Sequence, residues 1–331
     1  MIEKISVIGS GSWGCALTAL LAGKGYKVKL WSWLSEESEK IAQNRENTDC
    51  LPGIKLPETV EYTYNNGDMS GADLYLFAVP SHAVRSTAKS FSGVIEQGKP
   101  IVNVAKGFET SNLSRLSEIL SAEFPDNPIV VLSGPSHAEE VGKGIPTTVV
   151  AASYDEKAAE LVQDVFMTQK FRVYTNNDVI GVELGGALKN VIALCTGIAD
   201  GLGLGDNTKA ALMTRGLAEI KRLGIKMGAN ANTFAGLSGV GDLIVTCTSM
   251  HSRNRRAGIL IGKGMNAADA QKEVKMVVEG VYATEAAYKL AQKYGVQMPI
   301  THAAYEILFE NRPAADAVMA LMTRDKKGEE I

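Results

Sequence analysis

Apolar residues in the first half of the chain fall into short runs that alternate with amphipathic stretches. The runs predict strands at KISVIG (4–9), YKVKLW (26–31), ADLYLFAVP (72–80), KPIVNVAKG (99–107), NPIVVLSGP (127–135) and GIPTTVVAA (144–152). Several runs are apolar almost throughout, which is typical of parallel strands covered on both faces. Helices are predicted at 13–24, 35–46 and 111–123. This alternation predicts a doubly wound parallel sheet.

Beyond about residue 176 the pattern becomes helical. Segments separated by Gly, Asn or Pro predict helices at 177–201, 207–227, 253–262, 266–276, 280–294, 299–310 and 313–322. The only strand-like stretch in this half is short, at DLIVTC (242–247). The chain is therefore predicted to form an α/β domain over 1–176 and an all-helical domain over 177–331.

Composition narrows the class of protein. A net charge of −3 over 331 residues provides no basic field for nucleic acid or anionic lipid. The four cysteines and four histidines show no metal-ligand spacing, so no metal site is expected. No apolar run approaches the 18 residues of a membrane span, and the first residues lack a signal-peptide pattern. We expect a soluble cytoplasmic protein.

The loop after the first predicted strand carries GSGSWG, in which Gly9, Gly11 and Gly14 fit G-x-G-x-x-G. This motif predicts a dinucleotide site only where it follows a strand and opens a helix, and both conditions hold here. The glycines permit a tight turn and close approach of a pyrophosphate, and the helix N-terminus faces the phosphates. The first domain is therefore predicted to be Rossmann-like and to bind NAD(H) or NADP(H).

The adenosine ribose is expected beside the end of the second strand, where an acidic residue favours NAD and a basic one NADP. The sequence there is Ser32-Trp33-Leu34-Ser35, which carries no charge, and Trp33 occupies the expected place. Glu36 and Glu37 follow and are predicted to lie in the first turn of a helix; a carboxylate turned inward there would favour NADH. The sequence leaves the choice of cofactor open.

Two further loops follow predicted strands, where open α/β sheets bind ligands. Lys106, in NVAKGFE, is placed to meet an anionic ligand, and Gly134 and Ser136, in SGPSHAEEV, precede a helix. Each loop also has an ordinary interpretation, as a solvated lysine and a capped turn.

In the helical half, VELGGALKNVIAL (182–194) places Lys189 among small and apolar residues. A buried ammonium is costly unless something uses or neutralises its charge. Such a lysine can exchange a proton with an alcohol oxygen, and the glycines before it suggest that something approaches the backbone. The alternative is a lysine that extends along the helix edge to solvent.

The densest polar stretch is GLSGVGDLIVTCTSMHSRNRRAG (236–258). A glycine-rich loop presents Asp242, which could order a nearby lysine or accept from a substrate hydroxyl. Ser252, Arg253 and Asn254 open a predicted helix and form a set of donors suited to phosphate or carboxylate. His137, His251 and Cys247 are weaker candidates, for which loop or packing roles are the commoner interpretation.

Together these stretches resemble the NAD(P)-dependent glycerol-3-phosphate dehydrogenase family, bacterial type. The resemblance rests on GSGSWG, AVPSH, NVAKGFE, SGPSHAEEV, ELGGALKNVIALCTGIADGLGLGDNTKAALMTRGLAE, the 236–258 stretch and VVEGVYAT, and it covers nearly the whole chain. Trp33 departs from the family, which often carries Arg or His at that position.

The resemblance implies reversible reduction of dihydroxyacetone phosphate to sn-glycerol 3-phosphate by NADH or NADPH, which supplies glycerophospholipid synthesis, and it implies a homodimer. It makes Lys189 the catalytic proton donor and acceptor and places Lys106 against both substrate and cofactor. It assigns the substrate site to Gly134, Ser136, Asn190, Asp242, Thr246, Ser252, Arg253 and Asn254, and it assigns further cofactor contacts to Ser12, Trp13, Ala138, Arg253, Val277 and Glu279.

Two alternatives stay open at this point. A β-hydroxyacid or 6-phosphogluconate type of dehydrogenase would share the Rossmann and helical plan but bind a substrate carboxylate. A dinucleotide-sensing protein would bind NAD(P)H without turnover.

Overall fold

The computed structural model describes residues 2–326 and 328–329, which form two compact units. Unit 1 comprises the chain up to Lys106 together with Ser114–Val179, and unit 2 comprises Gly107–Leu113 together with the chain from Ile180 onward. The short segment joins unit 2 because Phe108 is buried in the helical core there. The pattern of polar and apolar residues does not indicate that this segment belongs to unit 2.

Unit 1 contains an eight-stranded sheet with the order β3-β2-β1-β4-β5-β6-β7-β8. The strands are β1 (Lys4–Ile8), β2 (Lys27–Trp31), β3 (Glu61–Thr63), β4 (Leu74–Phe77), β5 (Ile101–Asn103), β6 (Ile129–Ser133), β7 (Thr147–Ala152) and β8 (Phe171–Asn176). The helices are α1 (Ser12–Gly23), α2 (Ser35–Asn44), α3 (Val84–Ser90), α4 (Leu116–Glu123), α5 (Ala138–Gly142) and α6 (Glu156–Phe166).

The sheet is covered on both faces. Ile5 and Val7 of β1 belong to one apolar cluster, and Ile8 belongs to a second cluster that contains Phe77 and Phe91. Alternate residues of a strand point to opposite faces, so both faces of β1 are buried. The predicted doubly wound α/β domain is confirmed.

Two details of the sheet and one helix differ from the prediction. β6 and β7 run antiparallel, because the connection between them carries only the five-residue α5 and returns the chain alongside β6. β3 and β8 lie at the two edges of the sheet and were not predicted. EYT is only three residues long, and FRVYTN alternates buried with exposed residues, so it lacks the continuous apolar run by which the other strands were identified. The helix predicted at 111–123 begins only at Leu116, since Leu113 adopts a φ of 66° and interrupts any regular helix.

Unit 2 is helical from Ile180 onward, and every strand in the described part of the chain precedes residue 177. Its helices are α7 (Val179–Gly201), α8 (Gly205–Lys226), α9 (Asp242–Thr248), α10 (Arg253–Gly262), α11 (Ala267–Val274), α12 (Glu279–Tyr294), α13 (Pro299–Phe309) and α14 (Ala314–Met322). The strand-like interpretation of DLIVTC was wrong, because this stretch forms α9. Packing of Leu243 and Cys247 into the helical core overrides the strand preference of its β-branched residues.

α7 is long and apolar enough to cross a membrane, but 89% of its most apolar window is buried inside the protein. Leu184, Leu188 and Val191 lie in the main core of unit 2, and Leu194 and Ile198 lie in a second cluster next to α10. The helix is therefore a central core element of unit 2, and α8, α9, α10 and α12 contact it.

Candidate active site

Lys189 lies on α7 and is buried, and its charge is neutralised by α9. Its ammonium donates to the carboxylate of Asp242 and, at 2.7 Å, to Thr246 Oγ1. The Thr246 hydroxyl donates in turn to the Asp242 carbonyl at 2.6 Å. Asp242 and Thr246 are one helical turn apart and share a face of α9, so the helix presents both groups to the lysine. The interpretation of Lys189 as a lysine extended to solvent is excluded.

Close packing explains why position 185, in the glycine pair before the lysine, is a glycine. A Cβ on Gly185 would overlap the carbonyl oxygen of Ser238, in the π-helical turn Leu237–Gly241 that leads directly into α9. The glycine therefore lets the backbone before Asp242 lie against α7. The close approach predicted from the glycines is made by the protein's own chain at this position.

Asn254 connects three helices beside the lysine. Its amide nitrogen donates to Asn190 Oδ1 at 2.9 Å, and its oxygen accepts the Gly280 N–H at 2.8 Å. Asn190 follows Lys189 on α7, and Gly280 lies in the first turn of α12. Asn254 thus fixes the start of α10 and of α12 against the part of α7 that carries the lysine.

The N-terminus of α10 is capped and held from one side. Ser252 is its N-cap, and the Ser252 hydroxyl accepts the Arg255 N–H at 3.2 Å. Arg255 donates two hydrogen bonds to the Asp200 carboxylate of α7, from Nε at 2.9 Å and from Nη2 at 2.6 Å. Arg253, in the first helical position, is partly buried and so is placed at a helix end that favours anions.

The remaining unit 2 residues predicted to bind cofactor lie around the start of α12. Val277 precedes this helix, Glu279 is its first residue, and both are partly buried. Gly280 was not predicted, although it accompanies Glu279 in the sequence. Its contact with Asn254 depends on tertiary packing between helices that are far apart in sequence.

Unit 1 brings Lys106, Gly134 and Ser136 together at the carboxyl ends of β5 and β6. Lys106 Nζ and Ser136 Oγ both donate to the Gly134 carbonyl, each at 2.9 Å. Gly134 adopts a φ of 137°, which L residues rarely adopt, and Ala138 begins the short α5 that follows. The lysine therefore belongs to an ordered turn at the ligand-binding edge of the sheet.

The glycine-rich loop has the shape of a dinucleotide site. Gly9 has a φ of 116°, and a Cβ there would stand 2.7 Å from the Ala78 carbonyl oxygen. A Cβ on Gly14 would overlap the Gly9 carbonyl oxygen, so α1 can pack closely on β1 only with glycine here. At Gly11, by contrast, no described atom lies within 4 Å of the Cβ position. The open side at Gly11, next to the first turn of α1 with Ser12 and Trp13, fits the approach of a pyrophosphate.

Trp33 follows β2, and its side chain is 70% exposed. Its ring meets the buried Trp31 ring edge to face at 6.0 Å between centroids. The indole therefore offers an apolar face to solvent. It follows β2, which pairs with the strand β1 that leads into the glycine-rich loop, and an exposed aromatic face there can contact an adenine base.

The weaker candidates for chemistry have other roles or surroundings. Burial raises the pKa of the Cys247 thiol to about 12, so this group stays a protonated thiol at neutral pH. His251 is exposed in the loop before α10, and His137 precedes α5 as its N-cap. Among the described residues, no group of three or more His, Cys, Asp or Glu side chains could hold a metal ion.

Family models match both halves of the chain. The model described as NAD-dependent glycerol-3-phosphate dehydrogenase N-terminus matches residues 4–159, and the C-terminus model of the same name matches residues 178–319. The chain is 57% identical over 328 residues to a glycerol-3-phosphate dehydrogenase [NAD(P)+] of Desulfitobacterium hafniense, covering 99% of this chain and 93% of that protein. It is 56% identical to the Moorella thermoacetica protein of the same name, covering 99% of this chain and 98% of that one.

A solved structure shows the same fold over the full chain. The glycerol-3-phosphate dehydrogenase of Coxiella burnetii aligns with a TM-score of 0.94 and 38% sequence identity, covering 98% of this chain and 99% of that one.

Proposed function

The chain belongs to the NAD-dependent glycerol-3-phosphate dehydrogenase family, and from this premise we propose which of its residues carry out the reaction. The reaction is the reversible reduction of dihydroxyacetone phosphate, a small phosphorylated substrate, to sn-glycerol 3-phosphate with NADH or NADPH. The nicotinamide, when bound, supplies the hydride that reduces the substrate's carbonyl carbon.

Lys189 is the residue that delivers the proton. As the carbonyl carbon gains a hydride, negative charge develops on its oxygen, and a proton is needed there to give the alcohol. The observation that supports this role is the buried ammonium, which is held by Asp242 and Thr246. In the reverse direction, the amine of Lys189 takes the proton from the alcohol.

Asp242 and Thr246 are positioning residues for this step. The carboxylate offsets the cost of burying the ammonium, and the hydroxyl fixes where the nitrogen lies. Because both come from one face of α9, the lysine is held by a rigid helix, which maintains the geometry that proton transfer requires.

Arg253 binds the substrate's phosphate, with Ser252 and Asn254 beside it. A guanidinium forms charge-assisted bonds to phosphate, and the N-terminus of α10 adds its N–H groups and dipole. Asn254 uses one N–H for Asn190, which leaves its second N–H to donate to substrate. Asn190, next to the lysine, completes this group.

In unit 1, the glycine-rich loop and the first turn of α1 bind the cofactor's pyrophosphate, and Trp33 contacts its adenine. Lys106, ordered on Gly134, contacts substrate and cofactor, together with Ser136 and Ala138. Val277 and Glu279 of unit 2 bind the cofactor as well.

The test is oxidation of NADH and of NADPH by the purified protein, measured with dihydroxyacetone phosphate, with unphosphorylated dihydroxyacetone and with a set of β-hydroxyacids and 6-phosphogluconate. Turnover of dihydroxyacetone phosphate well above all the others is expected. Faster oxidation of a hydroxyacid would instead support the rival dehydrogenase class. Binding of NADH without turnover of any substrate would support a dinucleotide sensor.

The proposal extends to the setting of the enzyme. The product is the backbone of glycerophospholipids, so we place the enzyme in phospholipid synthesis, in the cytoplasm and as a homodimer. The cysteines in the described part of the chain form no disulfide, which supports a reducing compartment. Light scattering of the purified protein tests the dimer, since it distinguishes the mass of one chain from that of two.

A further inference from the structure

Glu37, in the first turn of α2, turns its carboxylate towards the glycine-rich loop. The Ser10 hydroxyl donates to Glu37 Oε1 at 2.9 Å, and Ser10 is the residue between the first two glycines of the motif. Asn47 Nδ2 donates to the Ser10 carbonyl at 2.7 Å and lies 3.5 Å from the same Glu37 oxygen. Ser10 and Asn47 are both buried, so the carboxylate is held on the loop by ordered partners.

This location is where the adenosine ribose is recognised in Rossmann domains. The acidic residue that binds the ribose 2′-hydroxyl follows the glycine motif by about 20 residues. Glu37 follows Gly14 by 23 residues, and the uncharged stretch from Ser32 to Ser35 separates it from the end of β2. The acidic residue at the expected ribose position is therefore Glu37, which comes from the first turn of α2 and not from the end of β2.

We propose that Glu37 determines the cofactor, favouring NADH over NADPH. Glu37 Oε2 accepts no hydrogen bond from residues 2–326 or 328–329, so it can accept one from a ribose 2′-hydroxyl. A 2′-phosphate in place of that hydroxyl would bring up to two negative charges next to the carboxylate. The inference rests on the dinucleotide site described above and is independent of the role of Lys189.

The cations on α2 and directly after it do not offset this charge, because each pairs with another carboxylate. Lys40 pairs with Asp49, and Arg45, which follows the helix, pairs with Glu58. Glu36 is adjacent in sequence but exposed, and no hydrogen bond joins it to the loop. Glu36 therefore provides a matched control, with the same charge at nearly the same sequence position.

The experiment measures binding by isothermal titration calorimetry, with ADP-ribose and 2′-phospho-ADP-ribose as probes. These probes lack the nicotinamide, so the result does not depend on turnover. The wild-type chain is expected to bind ADP-ribose about tenfold more tightly at low salt, from the repulsion of a few unit charges near a solvated surface. Glu37→Gln should bring the two dissociation constants to within about threefold, and Glu36→Gln should keep the wild-type ratio.

Three outcomes would overturn the proposal. They are equal or tighter wild-type binding of the phosphorylated probe, an unchanged ratio in Glu37→Gln, and an equal change in Glu36→Gln. Salt provides a check that needs no variant. Raising KCl from about 20 to about 500 mM shortens the Debye length to less than one-third of its starting value, so the wild-type ratio of the two dissociation constants should shrink. A ratio that does not respond to salt would also contradict an electrostatic origin. Failure of the proposed reaction would appear separately, as an absence of dihydroxyacetone phosphate reduction.

Discussion

The Asn254 side chain donates to Asn190 Oδ1 at 2.9 Å, between two helices whose residues are 64 positions apart. Asn254 also accepts the Gly280 N–H, so one amide fixes three helices at the residue next to Lys189. Buried amides that use both ends in this way allow one arrangement of their neighbours, since any shift leaves a polar group without a partner. The geometry around the lysine is therefore set by Asn254 as much as by the residues that touch it.

Asn254→Ala should lower both stability and activity. It leaves the Asn190 oxygen and the Gly280 N–H unpaired, which costs about 1–3 kcal/mol each. We expect the urea midpoint to fall and the KM for dihydroxyacetone phosphate to rise by about tenfold or more, as a lost substrate contact implies. Asn266→Ala is the matched control, because Asn266 caps α11 through the Asp269 N–H. The control should lose about 1 kcal/mol of stability with no change in KM, and a KM change equal to that of Asn254→Ala would reject a role in substrate binding.

Lys189→Met should lower kcat by about 10²–10⁴-fold, which is the usual contribution of a positioned acid–base group. It should also destabilise the protein by about 3–5 kcal/mol, because Asp242 would remain buried without its ammonium.

A double variant separates these two effects. Lys189→Met with Asp242→Asn removes both charges, so thermal unfolding should return towards the wild-type temperature while turnover stays lost. ADP-ribose affinity should be unchanged in both variants, since the loop that binds it lies in unit 1. Turnover within a factor of ten of the wild type in either variant would remove Lys189 from the mechanism.

Arg253→Ala should mainly weaken substrate binding. A charge-assisted contact to phosphate contributes about 1.5–3 kcal/mol, so kcat/KM for dihydroxyacetone phosphate should fall by about 10–150-fold. Unphosphorylated dihydroxyacetone should be a poor substrate for both proteins, and the variant should lose little further activity with it. If removing the phosphate costs the wild type no more than the variant, Arg253 does not bind phosphate.

Asp73 provides a pH dependence that can be measured. The backbone N–H groups of Glu3 and Lys4 donate to its carboxylate at 3.0 and 3.1 Å, and these bonds lower its pKa below the ordinary value of 3.8. A lowered pKa in the folded state means that the carboxylate stabilises the fold above pH 3.8 and loses this contribution as the pH falls through the lowered value.

Asp73→Asn should therefore lower the urea midpoint at pH 7, and the difference from the wild type should shrink as the pH approaches 3. Asp126→Asn, at an exposed turn position outside the strands and helices, controls for the loss of a surface carboxylate. A difference between wild type and Asp73→Asn that grows towards low pH would contradict the assignment.

Periodicity predicted most of the helices and the buried strands because each long element buries a regular face. α10, predicted at 253–262, has those bounds, and β1 differs from its prediction by one residue. The glycine motif was likewise readable, since its function depends on a fixed local geometry. Contacts between distant segments were not: Asn254 with Gly280, Gly185 with Ser238, and Ser10 with Glu37 each join residues whose spacing in sequence has no period.

α9 is an element that the sequence predicted wrongly, because tertiary packing and not local preference determines its structure. DLIVTC has the β-branched residues of a strand, but packing of Leu243 and Cys247 into the helical core favours a helix. A strand would also put Thr246 on the same face as Asp242, but about 13 Å along the chain from it. In the helix the two residues are only about 6 Å apart along the axis, so both reach the ammonium of Lys189. The resemblance to the family placed Thr246 near the chemistry, whereas the local preference of the sequence did not predict this spacing.

Trp33→Arg tests the other half of cofactor recognition. Trp33 is 70% exposed after β2, and an indole contacts adenine without distinguishing a ribose hydroxyl from a phosphate. We expect both cofactors to support turnover in the wild type, with kcat/KM values within about 30-fold, or about 2 kcal/mol, and with NADH preferred through Glu37. An arginine at 33 would form a charge-assisted contact with the 2′-phosphate, which should move the ratio towards NADPH by about tenfold or more. Trp33→Leu removes the indole without adding charge and should weaken both cofactors alike. A wild-type preference above about a thousandfold, more than 4 kcal/mol, would show that a residue other than Trp33 and Glu37 reads the 2′ position.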